Sequence, residues 1–223
     1  MKLAILFSSG KDSTFTLFYY LSQAWDVKCL LSIIPEGDES YMFQTPDSKL
    51  LKKQAESLGF PLIIQESKAK KELELNDLKK LIEKGIKQHG IEGVAVGALA
   101  SDYQHERVNR VCEELGIKVF APLWHKDQYS LMKEMITAGF DIRMTKIAAL
   151  GLSKEWLGKK LTIKDMDKLL ALNKKMGFHT AGEGGEFETI VLDGPIFKKQ
   201  INIEFDVEME SEYSGQLKIK KID

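Results

Sequence analysis

Five short apolar runs, each separated from the next by a stretch with helical spacing, constrain the first half of this chain more than any other feature. Residues 2–7 (KLAILF), 27–34 (VKCLLSII), 61–66 (PLIIQE), 93–98 (GVAVGA) and 118–123 (KVFAPL) read as strands. Residues 11–24, 47–58, 70–89 and a segment closing at Gly116 read as helices. VKCLLSII is nearly continuously apolar, as parallel strands covered on both faces tend to be. Strands that alternate with helices pair in parallel through right-handed crossovers. The expected class is therefore α/β, with a parallel, Rossmann-like sheet.

The pattern changes after Trp124. Helical segments at 127–138 and 164–176 flank the apolar stretch IRMTKIAALGL, and a Gly/Glu-rich loop, HTAGEGGEFET, follows. The tail segments IVLDGPIF, INIEFDVEME and LKIKKI read as strands. A boundary near 124–127 divides the chain into a parallel-sheet domain, 1–124, and a smaller C-terminal α+β domain, 125–223. Composition excludes several function classes. The 223 residues are 43% hydrophobic and 29% charged, as in soluble globular proteins. A formal net charge of -1 gives no argument for nucleic acid or a membrane surface. No apolar stretch approaches the ~20 residues needed to span a bilayer. The N-terminus lacks a signal-peptide pattern, so the expected location is cytoplasmic. Cys29 and Cys112 lie in apolar and helical patterns and read as core residues rather than a redox pair. His89, His105, His125 and His179 are scattered without metal-site spacing, so no structural zinc is expected.

SSGKDS follows the first strand and opens a helix, at the sheet edge where ligands of open α/β folds collect. Ser8, Ser9 and Gly10 let backbone N–H groups converge, and the helix N-terminus adds a partial positive charge. Lys11 adds a full charge. Asp12 repels a bare polyphosphate, so a cation, Mg2+, is expected between them. The loop lacks the Walker GxxxxGK[ST] order; a capped glycine turn is the plain alternative. The only arginines are Arg107, Arg110 and Arg143. In ALASDYQHERVNRVC, Asp102 and Gln104 stand near the sheet edge, and Arg107 or Arg110 can reach a phosphate or a carboxylate. A charged surface helix capped by Ser101 or Asp102 is the alternative there. GEGGEFETIVLDGPIF sets Glu183, Glu186 and Glu188 on one flexible, glycine-rich backbone. Crowded carboxylates call for a cation or hydrogen-bond donors, so the loop reads as a holder of a cationic or amide-bearing substrate, or else as a solvated acidic turn.

SSGKDS resembles the SGGxDS loop of the N-type ATP pyrophosphatases (adenine-nucleotide alpha-hydrolases), with Ser9 in place of the first glycine of the pair. That resemblance implies cleavage of ATP to AMP and pyrophosphate. Taken together, SSGKDS, ESYMFQTPD, GALASDYQHERV, APLWHKDQ and GEGGEFETIVLDGPIF resemble the diphthine–ammonia ligases over nearly the whole chain, in order and spacing. Gln44 stands where that pattern has a histidine, and His125-Lys126 after Trp124 is a second small departure. The resemblance implies a HUP-type domain that uses ATP and Mg2+, and the last step of diphthamide synthesis. ATP adenylates the carboxylate of diphthine on translation elongation factor two, and ammonia displaces AMP. It implies ATP binding by Ser8, Ser9, Gly10, Lys11, Asp12, Ser13, Ile34 and Gly97. Lys11, Asp12 and Arg107 would be catalytic, Asp12 also holding the metal. Ser101, Asp102, Tyr103, Gln104, Trp124, Glu183, Glu186 and Glu188 would bind substrate, with Trp124 or Phe187 offering a cation–π contact to the trimethylammonium. The implied partners are the elongation factor and ammonium, with no nucleic acid or membrane; homo-oligomerisation is left open. The rival readings are a tRNA-thiolating or lysidine-forming ATP pyrophosphatase, and an ATP-binding regulatory module without turnover. The first would want paired cysteines or a basic face; the second leaves the Glu loop without a role.

Overall fold

Alternating strands and helices make up the first of two units, Met1–Trp124, in a computed structural model that describes residues 1–35, 48–67, 73–97, 102–177 and 179–223. In chain order the elements are β1 (Lys2–Leu6), α1 (Lys11–Ser22), β2 (Asp26–Pro35), α2 (Ser48–Leu58), β3 (Leu62–Ser67), α3 (Leu73–His89), β4 (Gly93–Ala95), α4 (Asp102–Glu114) and β5 (Lys118–Phe120). All five strands are parallel, in the order β3-β2-β1-β4-β5. The expected α/β class and parallel sheet are what the chain forms.

β1 is the centre. Its residues Leu3, Ala4 and Ile5 are fully buried because β2 pairs along one edge and β4 along the other. Side chains alternate across a strand. Ala4 therefore joins Cys29, Leu31 and Ile33 in a cluster under Leu78, Leu81 and Ile82 of α3 and Val108, Val111 and Cys112 of α4. Leu3 and Ile5 point to the opposite face. Tyr20, Trp25 and Phe120 meet edge to face, with centroids 5.3–6.2 Å apart, and tie the end of α1 to β5. Cys29 and Cys112 are free and buried, and burial pushes both thiols up to about 12.

Two strands are shorter than their apolar runs. The run 93–98 pairs only over Gly93–Ala95, because beyond Val96 the backbone turns against the start of α1. The run 118–123 pairs only to Phe120; Pro122 has no N–H for a ladder, and Trp124 N closes a turn on Ala121 O at 3.2 Å. Gln44 and Ser101 fall in segments outside the described residues.

The second unit, His125–Asp223, holds α5 (Gln128–Thr137), β6 (Asp141–Ala148), a 3-10 turn (Lys154–Trp156), α6 (Ile163–Met176), β7 (Phe187–Asp193), β8 (Ile203–Met209) and β9 (Ser214–Ile222). Its sheet is antiparallel, in the order β7-β6-β9-β8. The apolar stretch between the two helices, unassigned from sequence, supplies β6, paired on both edges. Arg143 donates to both carboxylate oxygens of buried Asp141, at 3.0 and 2.9 Å, so the third arginine is structural.

α6 opens with a capping box. Thr162 Oγ1 accepts from Asp165 N, and Asp165 Oδ2 accepts from Thr162 N at 3.0 Å. Lys159 Nζ donates to Asp165 Oδ1 at 2.8 Å. Burial pushes the Asp165 carboxyl up, but these donors outweigh it and hold it below its ordinary value. Its contribution is therefore present above the unfolded carboxylate value of about 3.9 and lost as pH falls through the folded one. Asp165→Asn is expected to cost about 1–2 kcal/mol at neutral pH. Denaturant unfolding at a series of pH values should show the gap closing in acid.

Candidate functional site

The SSGKDS turn begins where β1 ends. Ser9 adopts φ 67, in the left-handed region, and is 3% exposed. That conformation costs a serine more than a glycine. Gly10 caps α1 with extended backbone, φ -79 and ψ 171, and no side chain caps the helix. The Ser13 and Thr14 hydroxyls instead donate back to Gly10 O at 3.1 and 2.8 Å. Ser13 Oγ also accepts from Ser8 N at 3.2 Å. The turn is thus held by its own hydroxyls, and the positive end of α1 lies at its tip.

Lys11 and Asp12 are paired. Lys11 is 5% exposed, and its Nζ donates to Asp12 Oδ2 at 2.6 Å. The other carboxylate oxygen, Asp12 Oδ1, is buried and has no hydrogen-bond partner among the described residues. An orphaned carboxylate oxygen is a costly arrangement unless a cation or donor arrives.

Gly97 brings β4 to the same place. A Cβ built on it would lie 2.7 Å from the Asp12 carbonyl carbon and 2.8 Å from Ser13 N. β1 and β4 are neighbours whose connections leave in opposite directions, the switch point at which open α/β sheets bind ligands. Ile34, near the end of β2, is half-buried.

Asp102 opens α4 and is exposed. Tyr103 and Gln104 belong to the same first turn. The helix separates its two arginines: Arg107 is half-buried, whereas Arg110 is 73% exposed and pairs with Glu114 at 3.4 Å. Trp124 stacks on His105 with centroids 4.4 Å apart, and His105 Nδ1 is buried with no hydrogen-bond partner among the described residues.

In the second unit the acidic loop is tied down, not flexible as its glycines suggest. Glu186 accepts from His179 N at 2.7 Å and from Gly184 N at 2.8 Å, so each oxygen of its carboxylate bonds the loop's own backbone. His179 Nδ1 accepts from Ala181 N at 3.3 Å and Glu183 N at 3.5 Å. Gln128 Oε1 accepts from both Thr180 N and Thr180 Oγ1. Gly182, at φ 76, presses on Phe187, which is 2% exposed. Phe187 is therefore core, which leaves little of its ring face for the expected cation–π contact. Glu188 lies opposite Lys146, 4.0 Å away, on the β6–β7 ladder. Burial pushes its carboxyl above the ordinary value, with Lys146 only partly opposing.

From the sequence alone Gln54 has no place, and His179 and Gln128, though named, have no role in holding the loop. Gln54 carried a signal: with Leu50, Leu51, Ala55 and Leu58 it occupies the apolar stripe of α2, where an amide needs a reason.

Residues 1–119 match the family description "Diphthamide synthase N-terminal domain", and 127–223 match "Diphthamide synthase C-terminal domain". The chain belongs to the diphthamide synthase family. Among diphthamide synthase relatives, "Diphthine--ammonia ligase" of Schizosaccharomyces pombe is 37% identical over 238 residues, covering 100% of this chain but 39% of the yeast protein. The chain thus spans well under half of that relative. The rat protein of the same name is 37% identical over 224 residues, covering 92% of this chain and 83% of its own. The human one is 34% identical with the same coverages. A solved Methanocaldococcus jannaschii structure, titled "predicted subunit of tRNA methyltransferase", superposes at TM-score 0.45 and 15% identity, covering 87% of this chain and 98% of that one. That likeness is too loose to bear on function.

Two expectations follow for this family member. Gly97→Ala forces backbone at Asp12–Ser13 to shift, and should cost about 1–3 kcal/mol in denaturant unfolding. A carboxyl raised on folding weakens stability as pH climbs from below about 4.3 through its folded value. Glu188→Gln should therefore raise the unfolding midpoint at neutral pH and leave it unchanged in acid. Equal midpoints at both pH values would dismiss burial as the cause.

Proposed function

We propose that this chain is a carbon–nitrogen ligase that converts diphthine on translation elongation factor two to diphthamide, consuming ATP and ammonium and releasing AMP and pyrophosphate. The observation that carries the reading is the match to both diphthamide synthase domains. Relatives named diphthine--ammonia ligase at 34% to 37% identity support it. The diphthine carboxylate attacks the α-phosphorus of ATP, and pyrophosphate leaves to give an acyl-adenylate. Ammonia then attacks the acyl carbon, the bond to the phosphate oxygen breaks, and AMP departs with its electron pair.

Within residues 1–124, Ser8, Ser9, Gly10 and Ser13 would cradle the phosphates, with Ile34 and Gly97 beside the nucleotide. Lys11 would leave Asp12 to neutralise α-phosphate charge, and half-buried Arg107 rather than surface Arg110 would hold the substrate carboxylate. Mg2+, when bound, supplies further neutralisation of the phosphate oxygens. Asp12 Oδ1, buried and orphaned, fits it as the one protein ligand, with phosphates and water supplying the others. Among the described residues no group of three or more His, Cys, Asp or Glu could hold a metal, so an ion here depends on ligand oxygens.

Residues 125–223 would recognise the substrate through Glu183, Glu186 and Glu188. Glu186 would act by shaping the loop, and Glu188, with its raised carboxyl, is suited to take a proton from ammonium. Ser101, Asp102, Tyr103, Gln104 and Trp124 would complete substrate binding in the first unit. A tRNA-thiolating reading is disfavoured by Cys29 and Cys112, whose buried thiols are pushed up to about 12. No helix among the described residues is long and apolar enough to cross a membrane, and the proposed substrate places the work in the cytoplasm.

The test incubates the protein with ATP, ammonium and diphthine-bearing elongation factor, following AMP and the mass change from carboxylate to amide. AMP without amidation would sink the ligase reading. Asp12→Ala is expected to abolish AMP formation with an unchanged far-UV spectrum; retained turnover would remove Asp12 from the metal.

A further inference from the structure

We infer that Gln54 is a positioning residue for the phosphate loop, holding the Ser9 carbonyl so that the turn before α1 is set in its left-handed form before any ligand binds. The inference rests on the reading of SSGKDS as the ATP loop. Gln54 comes from α2, 45 residues away in sequence, and is fully buried. Its Nε2 donates to Ser9 O at 3.0 Å. Ser9 is the residue at φ 67, the conformation that glycine takes without penalty and serine does not. An amide on an otherwise apolar helix face loses its water on folding and must recover a partner. One partner it finds is the carbonyl of the one strained peptide in the loop. The next carbonyl, Gly10 O, already receives the Ser13 and Thr14 hydroxyls. Two consecutive carbonyls are thus drawn away from the loop's mouth by donors of this chain, which keeps acceptor oxygens from facing an incoming phosphate.

The experiment is a cycle of Gln54→Met and Ser9→Gly, singly and together. Methionine keeps the volume and deletes the donor. Gln54→Ala is the second variant should methionine not fold. Two readouts are taken: Mg-ATP affinity by calorimetry, and hydrogen exchange of amides 9–14 in the ligand-free protein. Loss of the donor should weaken ATP binding about three- to tenfold and speed exchange several-fold. In the Ser9→Gly background both losses should shrink to under about twofold, because glycine needs no help to stay left-handed. Equal losses in both backgrounds, or none in either, would overturn the inference and leave Gln54 a core residue. If the wild-type chain binds no ATP, the nucleotide reading falls, and the exchange cycle alone still decides whether Gln54 sets the turn.

Discussion

Because β1 is hydrogen-bonded to β2 on one edge and to β4 on the other, the chain must leave the sheet in opposite directions from neighbouring strands. That single pairing opens the crevice, and two small residues at its rim keep it usable. Gly10 starts α1 with no side chain over its positive end, and Gly97 lets the backbone after β4 lie against Asp12 and Ser13. A side chain at Gly97 would push into the Asp12–Ser13 backbone and shift the loop. The buried face of β1, with Ala4 among the residues of α3 and α4, fixes the depth from which the loop rises.

The second unit solves a different problem. Three glutamates within six residues repel one another, yet each meets a distinct environment. Glu186 is absorbed by backbone amides, Glu183 gives its own N–H to His179, and Glu188 sits on a ladder opposite a lysine. The loop therefore separates its charges by using some of them internally.

The fold was legible because period and order are local signals. Apolar runs separated by helical spacing could only make a parallel sheet, and SSGKDS announced itself by standing at the end of the first. Element ends were not legible, since the chain leaves the sheet after Val96 and after Phe120 for tertiary reasons: an approach to α1, and a proline. β6 is hard to read because register shifts at Asp141/Ile142 and Met144/Lys146 break its alternation. Gln54 and His179 escaped for a shared reason. Each acts through one hydrogen bond or two to a backbone far from it or folded back on it, and spacing carries no trace of such a contact. The separation of Arg107 from Arg110 likewise needed the helix face, which three residues of spacing leave ambiguous.

Under the proposed ATP reading, the Lys11–Asp12 pair bears on which ions and nucleotides the loop admits. Held at 2.6 Å, the two charges cancel much of each other's field. A lone anion gains little from a lysine already matched, and a lone cation gains little from a carboxylate already matched. A ligand that carries both signs can separate the pair and satisfy both members at once, including the orphaned oxygen. Under the proposed ATP reading, a nucleotide with its cation matches both members of the pair where either ion alone does not.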